Sequence, residues 1–116
     1  MVKPTQCRLW KDPDWEKGPL KEKFELLHTY FEDENWWRYL LKCRECGQLY
    51  FLEFKEETDW KGGNDPQFTV YIPVESAEEA KTLSHKSPAD LRTVTPRLQK
   101  DWPEDEKRPR ISWISK

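Results

Sequence analysis

Glycine is scarce in this chain of 116 residues: there are 4, alongside a single methionine and only 3 cysteines. Three thiols cannot build the paired disulfide framework that staples small secreted domains. No apolar run approaches the roughly 18 residues that a membrane-spanning helix needs. A basic surplus is missing too, since 20 Lys and Arg face 22 Asp and Glu for a formal charge of −2. A general nucleic-acid binder needs such a surplus to neutralise phosphates, so the balance argues against one. Met1-Val2-Lys3-Pro4-Thr5-Gln6 lacks the apolar stretch of a secretory leader, and the expected location is the cytoplasm. Aliphatic residues are also thin. Leu, Ile, Val and Phe make up about one residue in five, a level at which disorder becomes a fair expectation.

Aromatic residues reverse that expectation. The chain has 7 Trp, 4 Tyr and 5 Phe. Each such ring can bury about 150–250 Å², so a few of them replace many aliphatic side chains. One folded domain over residues 1–116 is expected, with a small aromatic-rich interior of the kind a metal cross-link helps most.

Residues 1–18 read as an irregular N-terminal segment, broken by Pro4, Pro13 and Gly18. Pro19 then suits the first turn of a helix, and Leu20, Phe24, Leu27 and Phe31 fall on one helical face. Trp36 to Lys42 reads as a strand, with Trp36 and Trp37 on opposite sheet faces. Gln48 to Thr58 is a second strand, with Tyr50, Leu52 and Phe54 inward and Glu53, Lys55 and Glu57 outward. Asp59 to Pro66 is dense in turn formers, and Gln67 to Val74 is a third strand. Ser76 followed by Glu79 matches a capping box for a short helix, and Ser87-Pro88 opens another. Residues 99–110 read as a charged surface connection, and Arg110 to Ser115 as a final strand. Together these predict an α+β domain. Its antiparallel sheet has about four strands, an N-terminal amphipathic helix packs on one face, and a cysteine-bearing turn joins the first two strands.

That turn is Lys42-Cys43-Arg44-Glu45-Cys46-Gly47. Two thiols three positions apart, followed by a glycine free to take positive φ, form the tight turn that presents sulfur to a metal. Zinc takes four ligands, most often thiolate and imidazole. Cys7, the remaining thiol, is the candidate third ligand, against the alternative of an incidental N-terminal thiol. His28, at the edge of the Phe24–Phe31 stripe, is favoured as the fourth over His85, which sits in the polar stretch Ser84 to Ser87. Two rival readings stand beside zinc: a reduced pair that merely closes a hairpin, and a redox pair. The redox reading suffers because such motifs open a helix, whereas Gln48 to Phe54 has a strand pattern.

Cys43 to Tyr50 resembles one half of a zinc ribbon, although the second CxxC of a full ribbon is missing. That resemblance implies a structural zinc. The segment Leu40 to Val74, with Cys46-Gly47-Gln48-Leu49-Tyr50-Phe51 and Asp59 to Gln67, resembles a group of small, mostly uncharacterised bacterial proteins. Some proteins of that kind are immunity partners of secreted toxins, which implies a toxin domain as a protein partner.

No HExxH and no HxE partner for a PCxxC is present, so a non-catalytic protein is expected. Glu56, Glu57 and Asp59, with Trp60, Asn64 and Asp65 of the adjoining loop, form the candidate partner surface. The acids suit a basic partner and the indole suits an interface anchor. A solvated strand end that resists edge pairing accounts for the same acids. The alternatives to a protein-binding role are a nucleic-acid-associated zinc knuckle and a small enzyme using Cys43 or Cys46.

Overall fold

Side chains alternate across residues 36–56, and here both sides of the alternation are apolar. Leu41, Tyr50 and Leu52 go to one face of the sheet, and Leu40 and Phe51 go to the other. A strand whose two faces are both apolar lies in the middle of a covered sheet. The computed structural model describes residues 7–12, 20–56, 67–102 and 110–114. Among them, β1 (Phe24–Glu32), β2 (Trp36–Cys43), β3 (Leu49–Glu56), β4 (Gln67–Val74), β5 (Arg97–Trp102) and β6 (Arg110–Ile114) form one six-stranded sheet. They follow one another in sequence order, each antiparallel to the next. The antiparallel α+β character stands, with six strands in place of the expected four.

Four short helices accompany the sheet: α1 (Arg8–Lys11), α2 (Leu20–Lys23), α3 (Ala77–Ser84) and α4 (Pro88–Leu91). Helix α3 packs across β2, β3 and β4. Its N-cap is Ser76, whose hydroxyl accepts from the Glu79 amide at 3.2 Å. The reciprocal half of the capping box is not made, and Glu79 Oε1 stays buried without a partner. Ser87 caps α4 in the same way, accepting from the Asp90 amide at 3.2 Å. On this face Ala80, Leu83 and Leu91 cover Leu40, Phe51, Val70, Ile72 and Val74.

The opposite face is covered by the N-terminal arm. Leu9 of α1 is fully buried, and Cys7 and Leu9 pack with Phe24, Leu41, Tyr50, Leu52, Tyr71 and Leu98. Trp113 of β6 clamps the arm: its indole Nε1 donates to the Leu9 carbonyl at 3.1 Å, and its ring lies 4.5 Å from that of Trp10. Part of the segment expected to be irregular is therefore an ordered cover for the core.

The expected N-terminal helix is replaced by a single turn, α2, followed at once by the edge strand β1. The cause lies in the register. Leu26 faces Leu41 and His28 faces Leu40, so Leu27 is an extra residue. Thr29 faces Tyr39 and Phe31 faces Arg38, so Tyr30 is another. Each β-bulge inserts one residue and shifts the alternation by one. Two bulges three residues apart convert a period of two into spacings of three and four, which imitates a helix. Phe24, Leu27 and Phe31 do not share a face: Phe24 joins the arm side, while Leu27 and Phe31 lie on the α3 side.

Two further expectations are corrected. Residues 99–102, expected to open the surface connection, belong instead to β5 and pair with β4. Glu53, expected on an exposed outer face, is only 5% exposed. It pairs with Arg38 across β2 and β3 on the face that α3 covers. Trp36 and Trp37 do take opposite faces. Trp36 donates to Glu53 Oε2 at 3.1 Å, and Trp37 stacks on Phe54 at 4.2 Å.

Candidate metal centre

Cys43 ends β2, and the turn that follows is closed by two backbone bonds. The Gly47 amide donates to the Cys43 carbonyl at 2.9 Å, and the Cys43 amide donates to the Gln48 carbonyl at 2.8 Å. Gly47 takes φ +82°. A Cβ there would meet only Lys42 Cε, at 3.8 Å, so the demand for glycine comes from the backbone and not from crowding. Gly47→Ala should cost about 1–2 kcal/mol through the left-handed conformation alone. The urea midpoint of the metal-free variant, with unchanged slope, measures this.

Cys7 arrives from the arm. It is the N-cap of α1, and its carbonyl accepts from the Trp10 amide at 3.1 Å. Arg8 reinforces the approach by pairing with Glu45 of the turn at 3.2 Å. The Sγ atoms of Cys7, Cys43 and Cys46 lie within 4.8 Å of one another. Cys7 and Cys43 are buried, while Cys46 as a whole residue is exposed. Loss of water around its sulfur, with hydrogen bonds to Cys7 and Cys43, pushes the Cys46 thiol up to about 12 against a lowering backbone bond from Gln48.

Tyr50 was absent from the sequence-based site. It lies on β3, fully buried, with Phe24 edge-on at 5.9 Å and Tyr71 edge-on at 6.4 Å. Its hydroxyl has no hydrogen-bond partner of good geometry. The polar groups around it are the three sulfurs, Cys7 foremost. Burial first, and then these neighbours, push its pKa upward, so it stays a neutral phenol. The available sequence signal was the inward side of β3, two strand positions from the turn.

Three thiols around a buried hydroxyl suit a thiophilic ion. Zinc–sulfur bonds of about 2.3 Å place tetrahedral sulfurs about 3.8 Å apart. The observed spread therefore requires a closure of about 1 Å at most.

The other predicted residues lie elsewhere. His28 is not among the grouped ligands; it sits on the α3 side, its ring edge-on to Tyr30 at 4.5 Å. His85, the C-cap of α3, is on that side too. Glu56 is half-buried and accepts from Gln67 Nε2 at 2.8 Å, which ties β3 to β4. Glu57, Asp59, Trp60, Asn64 and Asp65 lie outside the described residues. No protein-family model, no curated protein and no solved structure matches this chain.

Proposed function

We propose that this chain is a non-catalytic binding protein built around one structural zinc ion held by Cys7, Cys43 and Cys46. The observation that carries this reading is the meeting of three sulfurs from two distant parts of the chain at a buried hydroxyl that lacks a hydrogen bond of good geometry. A buried polar group without a partner costs free energy and calls for an explanation. A thiolate formed on metal binding is a strong acceptor, so metal loading gives Tyr50 its partner. Among the described residues no imidazole or carboxylate joins the sulfurs, which supports a structural ion over one with an acid or base beside it. Protein recognition, by a toxin domain or another basic partner, is the binding role that the acidic end of β3 would serve.

Elemental analysis of protein purified without a histidine tag tests the metal reading, with about one zinc per chain expected. Metal-free protein that folds and melts identically would defeat it. Tyr50→Phe sharpens the test. Metal affinity should fall by about 10–100-fold, the usual cost of losing a group that supports a ligand. Stability of the metal-free protein should hold or rise, because an unsatisfied hydroxyl has been removed. Competition with a chromogenic chelator measures the first effect, and urea unfolding in excess chelator measures the second.

A further inference from the structure

On the opposite face, α3 crosses β2, β3 and β4 and leaves a gap beside the edge strand β1. The gap is a cavity of about 880 Å³. Small-molecule sites typically span about 300–1,000 Å³, are mostly apolar, and carry a few convergent polar groups. This one has a floor of Arg38 and Leu40, both buried, a wall of β1 side chains and a wall of α3 side chains.

The bulges of β1 build the first wall. Leu27 and His28 both reach the cavity, and so do Tyr30 and Phe31. A regular strand would send one member of each pair to the other face. Bulges often re-aim side chains beside functional sites. Of the three large hydrophobic residues exposed among the described residues, two, Leu27 and Phe31, line this cavity. Trp36 extends the apolar surface.

The polar lining is biased toward donors. Arg38 is matched by Glu53 beneath it. Lys81 projects from α3, and no described carboxylate pairs with it. Both histidines of the chain, His28 and His85, line the cavity from opposite walls. Glu78 is the one carboxylate in the lining. It shares α3 with Lys81 without forming an ion pair.

We propose that this groove binds a small carboxylic acid, its apolar body against Leu27, Phe31 and Trp36 and its carboxylate toward Lys81 and the two imidazoles. The assignment goes beyond the protein-binding role proposed above, uses a different surface and does not depend on the metal. Charge complementarity selects the acid over a neutral or cationic analogue of the same shape.

Octanoate, octanol and octylamine are matched probes. Titration of the metal-loaded full chain, followed by calorimetry and by the imidazole signals of His28 and His85, should show octanoate binding most tightly. Octanol should bind about tenfold or more weakly, the cost of one charge-assisted hydrogen bond, and octylamine more weakly still. Lys81→Glu should weaken octanoate by at least about tenfold and leave octanol unchanged. Phe31→Glu should weaken both. Both positions are solvent-exposed, and an unchanged circular dichroism spectrum establishes that each variant is folded. Octylamine binding as well as octanoate, no response of either imidazole, or octanoate affinity unmoved by Lys81→Glu would overturn the proposal. Zinc content, measured on the same samples, tests the metal reading separately.

Discussion

Removing the proposed zinc with a strong chelator should lower the melting temperature by about 12–20 °C, and Cys43→Ser should reproduce the loss. The size follows from what the ion ties together. Cys7 and Cys43 are separated in sequence by α1, α2, β1 and all of β2 before its last residue. Joining them closes a long loop, which in the chain-entropy model of a cross-link is worth ~4 kcal/mol. At a chain length near 100 residues, each kcal/mol moves the midpoint by about 3–5 °C. The effect should be uneven over the molecule. Amide exchange should rise first at Leu9 and Trp10, because the arm loses its tie to the turn and is then held by the packing of Leu9, the contacts with Trp113 and the Arg8–Glu45 pair. The α3 side should hold its protection, since Phe51, Ile72 and Leu91 pack there without help from the sulfurs. Cys7→Ser should resemble the chelated protein more closely than Cys46→Ser does. It removes the only thiol of the distant arm, whereas Cys46 lies on the turn already closed by the Gly47–Cys43 bond. A chelated sample that melts at the same temperature as the loaded one, with equal exchange at Leu9, would end the structural reading of the ion.

The turn that carries two of the candidate ligands was legible in the sequence because its chemistry is local. CxxCG holds the thiol spacing and the positive-φ position within five residues, and both appear as expected. Cys7 could be named as a candidate only because no other thiol remained. Its approach depends on Trp113, at the far end of the chain, holding the arm down. Tyr50 was read as an inward strand residue, and nothing in a strand pattern tells which inward ring ends beside a sulfur. The strands from Trp36 to Val74 were legible because their alternation is regular. Strand β1 was not, because its bulges rewrite the period from which helices are recognised. Strand β5 was missed for a different reason. Its α3-side residues are Arg97, Gln99 and Asp101, which satisfy one another: Arg97 Nε donates to Gln99 Oε1 at 2.9 Å and Gln99 Nε2 donates to Asp101 Oδ2 at 2.7 Å. Polar residues two apart that bond along the strand mimic the composition of a loop.

Breaking the Arg38–Glu53 pair from either side should be the most damaging single change away from the sulfurs. Glu53 Oε2 accepts from Arg38 Nε at 2.7 Å and from Trp36 Nε1 at 3.1 Å, and Arg38 Nη2 lies 2.6 Å away as an ion-pair contact. Arg38 Nη1 donates to the Ser84 carbonyl at 2.9 Å, so the same guanidinium fastens the C-terminal end of α3 to the sheet. Both side chains are 6% exposed. Removing one member leaves a nearly buried charge without its counter-charge, at a cost of about 3–5 kcal/mol. Arg38→Met and Glu53→Leu should each lower the unfolding free energy measured in urea by that amount. The double variant should recover most of the loss, because two well-packed apolar residues can replace a buried pair at little cost. Additive losses in the double variant would show that packing, and not the paired charges, sets the price of each change. Chelation separates this pair from the metal. The sulfurs lie on one face of the sheet and the pair on the other, and changes at sites with no shared partners add. Chelating the Arg38→Met variant should therefore subtract the same free energy as chelating the parent. A smaller increment would mean that the arm and α3 already act as one cooperative unit through the strands between them.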